Sequence, residues 1–277
     1  MSHSYSKNEL LEYFYEALAL FNEKLDTDIS EDTVLVEFFT TENGETVYER
    51  FCSANFPQYL SEPFREDGYF DDIAAQAFVN GRHYGVLIRE DIDFTLGELL
   101  QVFLHEISHL FCCENEIEDG NFFDKYCMGI GPEDGMMNAG YSIWREAVAD
   151  IMADSMLSED ATMTLGMVKE PVLKYYLQLS ATNPVSKKAM ALIIVYIMVS
   201  REVATITDWK QAEKEIKKKI GFNDPLMYAA LKQVFDKLHD SPFWVITPEF
   251  IISLGETYLS LLAGKAMRAF LTSADNG

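Results

Sequence analysis

The stretch LLQVFLHEISHLFCC, residues 99 to 113, decides how the rest of the chain is read. It sets His105 and His109 four residues apart, with Glu106 directly after the first. Its apolar positions, Leu100, Phe103, Leu104, Ile107, Leu110 and Phe111, recur at intervals of three and four, the period of an amphipathic helix. On such a helix residues i and i+4 lie one turn apart on the same face, so both imidazoles project side by side. Two nitrogen ligands need that arrangement to reach one ion at about 2.0–2.1 Å each. With five histidines in 277 residues the spacing is rare as an accident. The stretch therefore reads as half of a metal site on a helix over 95–114; the alternative is three polar residues on an ordinary buried helix.

Outward from the motif, the N-terminal side is mixed. Residues 7–26 carry Leu10, Leu11, Phe14, Tyr15, Leu18 and Phe21 at helical spacing. TVLVEFFT (33–40) and TVYERF (46–51) are rich in β-branched and aromatic residues, and Asn43-Gly44 between them predicts a hairpin. HYGVLIRE (83–90), after the turn residues Asn80 and Gly81, predicts a third strand. On the C-terminal side the period is helical over 142–158, 162–180, 185–204, 208–220, 224–239 and 247–271, with Pro171 marking a kink or a boundary. Between Glu114 and Ser142 lie five glycines and a proline, which predict a long loop, and loops of that length usually serve a function. The expected fold is α+β and mainly helical: an N-terminal α/β part with a small sheet ending in the motif helix (1–115), an active-site loop (116–141) and a helical part (142–277), packed as a two-lobed unit.

Composition narrows the partners. Hydrophobic residues at 48% and aromatics at 13% belong to a folded chain. A net charge of −23, from 22 basic against 45 acidic residues, repels phosphate backbones and anionic bilayers, so neither nucleic acid nor a membrane is an expected partner. The first 25 residues lack the basic and then uninterrupted apolar pattern of a signal peptide. The most apolar run, AMALIIVYIMVS at 189–200, is too short to span a bilayer and reads as a buried helix. Cys52, Cys112, Cys113 and Cys127 then read as reduced thiols, and the expected location is the cytoplasm.

A catalytic zinc site needs three protein ligands and one open position. A glycine three residues and a ligand six residues past the second histidine would mark a metzincin, but Cys112 and Asn115 stand there. Glu114 would turn to another side of the helix. YSIWREAVADIMAD (141–154) is the better source, because Glu146 and Asp150 share one helical face while Ile143, Ala147, Val148 and Ile151 form an apolar stripe. Two carboxylates on one face of a buried helix are costly unless a cation lies against them. The alternative is an ordinary solvated acidic face.

HEISH followed by REAVAD, with Glu146 37 residues beyond His109, resembles the gluzincin metallopeptidases, of which thermolysin is a member. The match covers residues 99–154 and implies one zinc ion per chain held by His105, His109 and Glu146, with Glu106 as general base and Asp150 orienting His105. The implied activity is hydrolysis of peptide bonds in a peptide or protein substrate, by a water that the ion polarises and Glu106 deprotonates. The resemblance also implies a substrate laid as an added strand on a sheet edge beside the motif helix, for which HYGVLIRE is the candidate if it is not interior. Relatives of thermolysin add a tyrosine and a histidine that stabilise the oxyanion; no clear equivalent is present, and Tyr141 and His239 are the candidates. A thiolate at Cys113, four residues past His109, would instead fill the open position. That gives the competing expectation, an inactive or latent metal-binding protein on a zincin scaffold that acts through partner binding.

Overall fold

In a computed structural model the chain is α+β and mainly helical. The structure describes residues 3–61, 69–118, 120–129, 132–157, 206–219, 225–239 and 246–257. The expected helices over 162–180 and 185–204, with Pro171 and the 189–200 run, lie outside the described residues. Two compact units divide the chain: Met1–Glu118 with Met152–Met163, and Asp119–Ile151 with Thr164–Gly277. Among the described residues no helix is long and apolar enough to cross a membrane.

The first unit begins with a short strand, β1 (His3–Ser4), and helix α1 (Lys7–Leu25). Ser6 and Glu9 close a capping box at the start of α1, and Leu10, Phe14, Leu18 and Phe21 form its buried stripe. Strand β2 (Val34–Phe39) follows, then α2 (Gly44–Asn55), a 3₁₀ turn (Pro57–Ser61), the single turn α3 (Tyr69–Asp72), β3 (Ala75–Asn80), β4 (His83–Arg89), β5 (Asp93–Phe94) and the motif helix α4 (Leu96–Glu114). The sheet order is β2-β4-β3, with β4 parallel to β2 and antiparallel to β3.

Two expectations fail here for local reasons. Residues 46–51 are not a strand: they lie within α2, because Val47, Tyr48, Phe51 and Cys52 are buried at a helical interval that a two-residue alternation cannot satisfy. Asn43 caps instead of turning a hairpin. Its Oδ1 accepts from the Thr40 N–H at 2.7 Å, and its carbonyl accepts the first helical bond, from Val47, at 3.0 Å. The hairpin is made by β3 and β4, joined through Gly81 at φ 60°, the left-handed value that glycine reaches without strain. Consequently HYGVLIRE is the interior strand, and β3, which the alternation did not single out, is one of the two edges, with β2 the other, among the described residues.

On one side of the sheet α2 closes a core of Phe39, Val47, Tyr48, Phe51, Cys52, Phe56, Phe78 and Leu87. Gly85 is needed at its centre, since a Cβ there would sit 2.5 Å from the Phe56 ring. Helix α4 packs on α1 and on β3.

In the second unit the glycine-rich stretch expected to be a loop is largely helical, as α5 (Gly120–Tyr126) and then α6 (Pro132–Met156), whose last turn belongs to the first unit. Pro132 suits the first helical position, where its missing N–H has no partner to lose. Apolar side chains hidden among the glycines decide the outcome: Phe122, Cys127, Met137 and Tyr141 are buried. Two of the glycines mark close packing. A Cβ on Gly140 would lie 2.0 Å from the Ile251 carbonyl, and one on Gly255 1.8 Å from the Met136 carbonyl, so α6 and α9 (residues 248–257) meet backbone to backbone. Helices α7 (Trp209–Lys219) and α8 (Pro225–His239) match their expected ranges and pack on each other, with a Trp209–Phe235 ring contact at 5.7 Å, and Ala212, Ile216, Leu231 and Val234 are buried.

Alanine at Gly140 or Gly255 should lower stability by about 1–3 kcal/mol through overpacking. A urea titration would show this as a lower midpoint with an unchanged slope.

Candidate metal centre

Helix α4 starts at a capping box in which the Thr95 N–H donates to Glu98 at 2.7 Å and the Glu98 N–H donates to the Thr95 hydroxyl at 3.3 Å. From Leu99 to Leu110 its residues are buried on nearly every side, with the partly buried Leu100 aside. The motif side chains share that burial: His105 is 3% exposed, His109 5% and Glu106 8%.

The two imidazoles meet edge to face, with their Nε2 atoms 3.2 Å apart. Two nitrogens bound tetrahedrally to one zinc at about 2.0–2.1 Å are separated by roughly 3.3 Å. The pair therefore already has the spacing that a shared ion demands. Glu146 is half-buried on α6, and its carboxylate completes a group in which one atom each from His105, His109 and Glu146 lie within 4.8 Å of one another. Two imidazoles and a carboxylate are a donor set that zinc accepts. Asp150, one turn past Glu146, is buried at 2% exposure.

The sequence reading missed Glu118. The His109 Nδ1 lies 2.6 Å from its Oε1, and both side chains are buried. With Nδ1–H donating to that carboxylate, His109 keeps its Nε2 lone pair directed at the Nε2 of His105. A carboxylate on the far nitrogen of a ligating histidine fixes tautomer and ring orientation. The chain turns back to deliver it. Beyond Asn115, Glu116 adopts φ 56°; its N–H donates to the Cys113 carbonyl at 3.3 Å, and the Ile117 N–H donates to the Cys112 carbonyl at 2.8 Å. This is a Schellman end with glutamate at the position glycine favours. The signal in the sequence was faint, since no glycine marks the turn.

Glu106 faces β3, where its Oε2 accepts the Ala77 N–H at 2.7 Å. Cys113 is not one of the grouped residues; its thiol points at the other Glu118 oxygen, 3.8 Å away. None of the four cysteines is in a disulfide, and burial pushes the Cys127 thiol up to about 11. The two oxyanion candidates are engaged in packing. Tyr141 lies against Phe122, Phe123 and Trp144, and His239 stacks on Phe235 with its Nδ1 2.8 Å from the Phe235 carbonyl.

Glycine in place of Glu116 should raise stability by about 1 kcal/mol, because the left-handed conformation penalises a Cβ by roughly 1–2 kcal/mol per residue. Chemical denaturation of the two proteins measures it.

No protein-family model, no curated protein and no solved structure matches the chain.

Proposed function

We propose that this chain is a zinc-dependent peptidase of the gluzincin kind, acting in the cytoplasm, with His105, His109 and Glu146 as ligands of one zinc ion. The observation that carries the reading is the convergence of those three ligand atoms within 4.8 Å, with the imidazole nitrogens 3.2 Å apart. A bound zinc supplies Lewis acidity at neutral pH, polarising the attacking water and the scissile carbonyl. Four cysteines with no disulfide among them support a reducing compartment.

The proton transfers fall to Glu106. It is the one motif residue not needed as a ligand, and a purely structural site has no use for a carboxylate there. Taking a proton from the attacking water and returning it to the leaving nitrogen is the work of a general base and acid, typically worth about 10²–10⁴-fold in rate. The Ala77 N–H holds that carboxylate at the margin of β3, where an extended peptide can be laid along the sheet. Glu118 and Asp150 orient the histidines: Glu118 fixes His109, and Asp150 is assigned to His105.

Glu106→Gln should retain about one zinc per chain by elemental mass spectrometry and lose turnover. Glu146→Ala should lose the metal. Failure of the parent protein to take up zinc at neutral pH would refute the reading. Glu118→Ala should weaken zinc affinity by about 10–100-fold, the usual cost of removing a group that orients a metal ligand, as read by competition with a chromogenic chelator.

A further inference from the structure

We infer that the peptide enters this site from its amino terminus, with about one residue ahead of the bond that is cut, which makes the chain an amino-terminal exopeptidase. The inference rests on the peptidase reading above, and it comes from the outer edge of β3.

Along an antiparallel edge strand, alternate residues turn their backbone groups toward the neighbouring strand and away from it. The Arg89 N–H donates to the Ala74 carbonyl at 2.9 Å, which puts the even-numbered residues of β3 on the β4 side. Ala75, Ala77 and Val79 therefore face outward, as the Ala77 N–H bond to Glu106 shows directly.

At Val79 that outward edge is closed. Its N–H donates to the Tyr59 hydroxyl at 3.2 Å, and its carbonyl accepts from Gln58 Nε2 at 2.8 Å. Just beyond, Asn80 Nδ2 donates to the Asn55 carbonyl at 3.3 Å. Tyr59 is itself fixed: its ring centroid lies 5.0 Å from that of Phe78, and its carbonyl accepts the Tyr48 hydroxyl at 3.3 Å. The 3₁₀ turn Pro57–Ser61 is thus pinned across the end of the edge. Ala77 is partly exposed and lies beside Glu106.

An extended peptide on this edge can lie against Ala77, whose N–H is held by Glu106, and cannot continue past Val79, where both backbone groups are taken. Antiparallel addition is the more stable mode, and in it the amino-terminal side of the peptide runs toward Val79. Since Glu106 handles the proton beside Ala77, the reacting bond lies there. Two strand residues, about 7 Å, separate Ala77 from the closed position, which leaves room for roughly one residue of substrate on that side. The carboxyl side runs the other way, toward Ala75. In the reaction the water oxygen joins the carbonyl carbon of the leading residue and the bond to the next nitrogen breaks. The proton taken by Glu106 goes to the departing amine.

The test compares the zinc-loaded protein with a Gln58→Ala, Tyr59→Phe double variant, which keeps the aromatic packing and frees both backbone groups of Val79. Peptides with a free amino terminus are offered beside an internally quenched, acetylated peptide cleavable only at a central bond, and products are identified by mass spectrometry. The parent should release amino-terminal residues and cut the blocked peptide far more slowly. The variant should gain about 10–100-fold on the blocked peptide, as two freed ladder hydrogen bonds predict. Release of carboxyl-terminal residues by the parent, or central cleavage at a similar rate, would overturn the inference and leave the peptidase reading standing. No cleavage by either protein would overturn both. Amide hydrogen exchange gives a readout independent of activity: Val79 should exchange slowly in the parent and faster in the variant, and equal rates would sink the inference.

Discussion

Two imidazoles and a carboxylate are nearly buried on a helix whose other residues are mostly apolar, and the surroundings of α4 answer that cost. A buried polar group left without a partner costs about 1–3 kcal/mol, and three of them would consume much of the roughly 5–15 kcal/mol by which a domain is stable. The neighbouring elements supply partners. Glu118 comes back from beyond the helix end to take one face of His109, and the edge strand offers the Ala77 N–H to Glu106. The Schellman turn at Glu116 and the place of β3 beside α4 are thus parts of one solution to an electrostatic demand that the helix sets.

The same helix was the most legible feature of the sequence. Its capping box, its apolar period and the i, i+4 histidines agree, and a helix over 95–114 is found as Leu96–Glu114. Agreement across levels of that kind is what makes a local reading safe. Two local signals conflict over residues 43–52. Asn43-Gly44 is a strong turn pair, yet the burial interval of Val47, Tyr48, Phe51 and Cys52 was already helical in the sequence. The glycines between residues 114 and 142 predict a long loop, whereas Gly140 serves to let two helix backbones approach. That function depends on the partner helix some hundred residues away, which a local window does not contain.

The site divides in the same way. The proximity of His105 to His109 is legible from their spacing on one helix, since helical geometry converts sequence separation directly into spatial direction, whereas Glu146 as a partner for them comes from the resemblance of its motif. Glu118 escaped because its reach to His109 depends on a reversal of the chain at a left-handed glutamate. The role of β3 escaped because its edge position follows from strand order, and the parallel pairing of β2 with β4 places β4 in the middle.

The closure of β3 has a second consequence, for colloidal behaviour. An unpaired edge strand is a template on which another chain can add a strand, and native proteins blunt such edges with charge or with covering segments. Here the covering turn blocks Val79, and a buried carboxylate occupies Ala77. The same hydrogen bonds deny the edge to sister molecules, so loosening the turn would open a route to self-association.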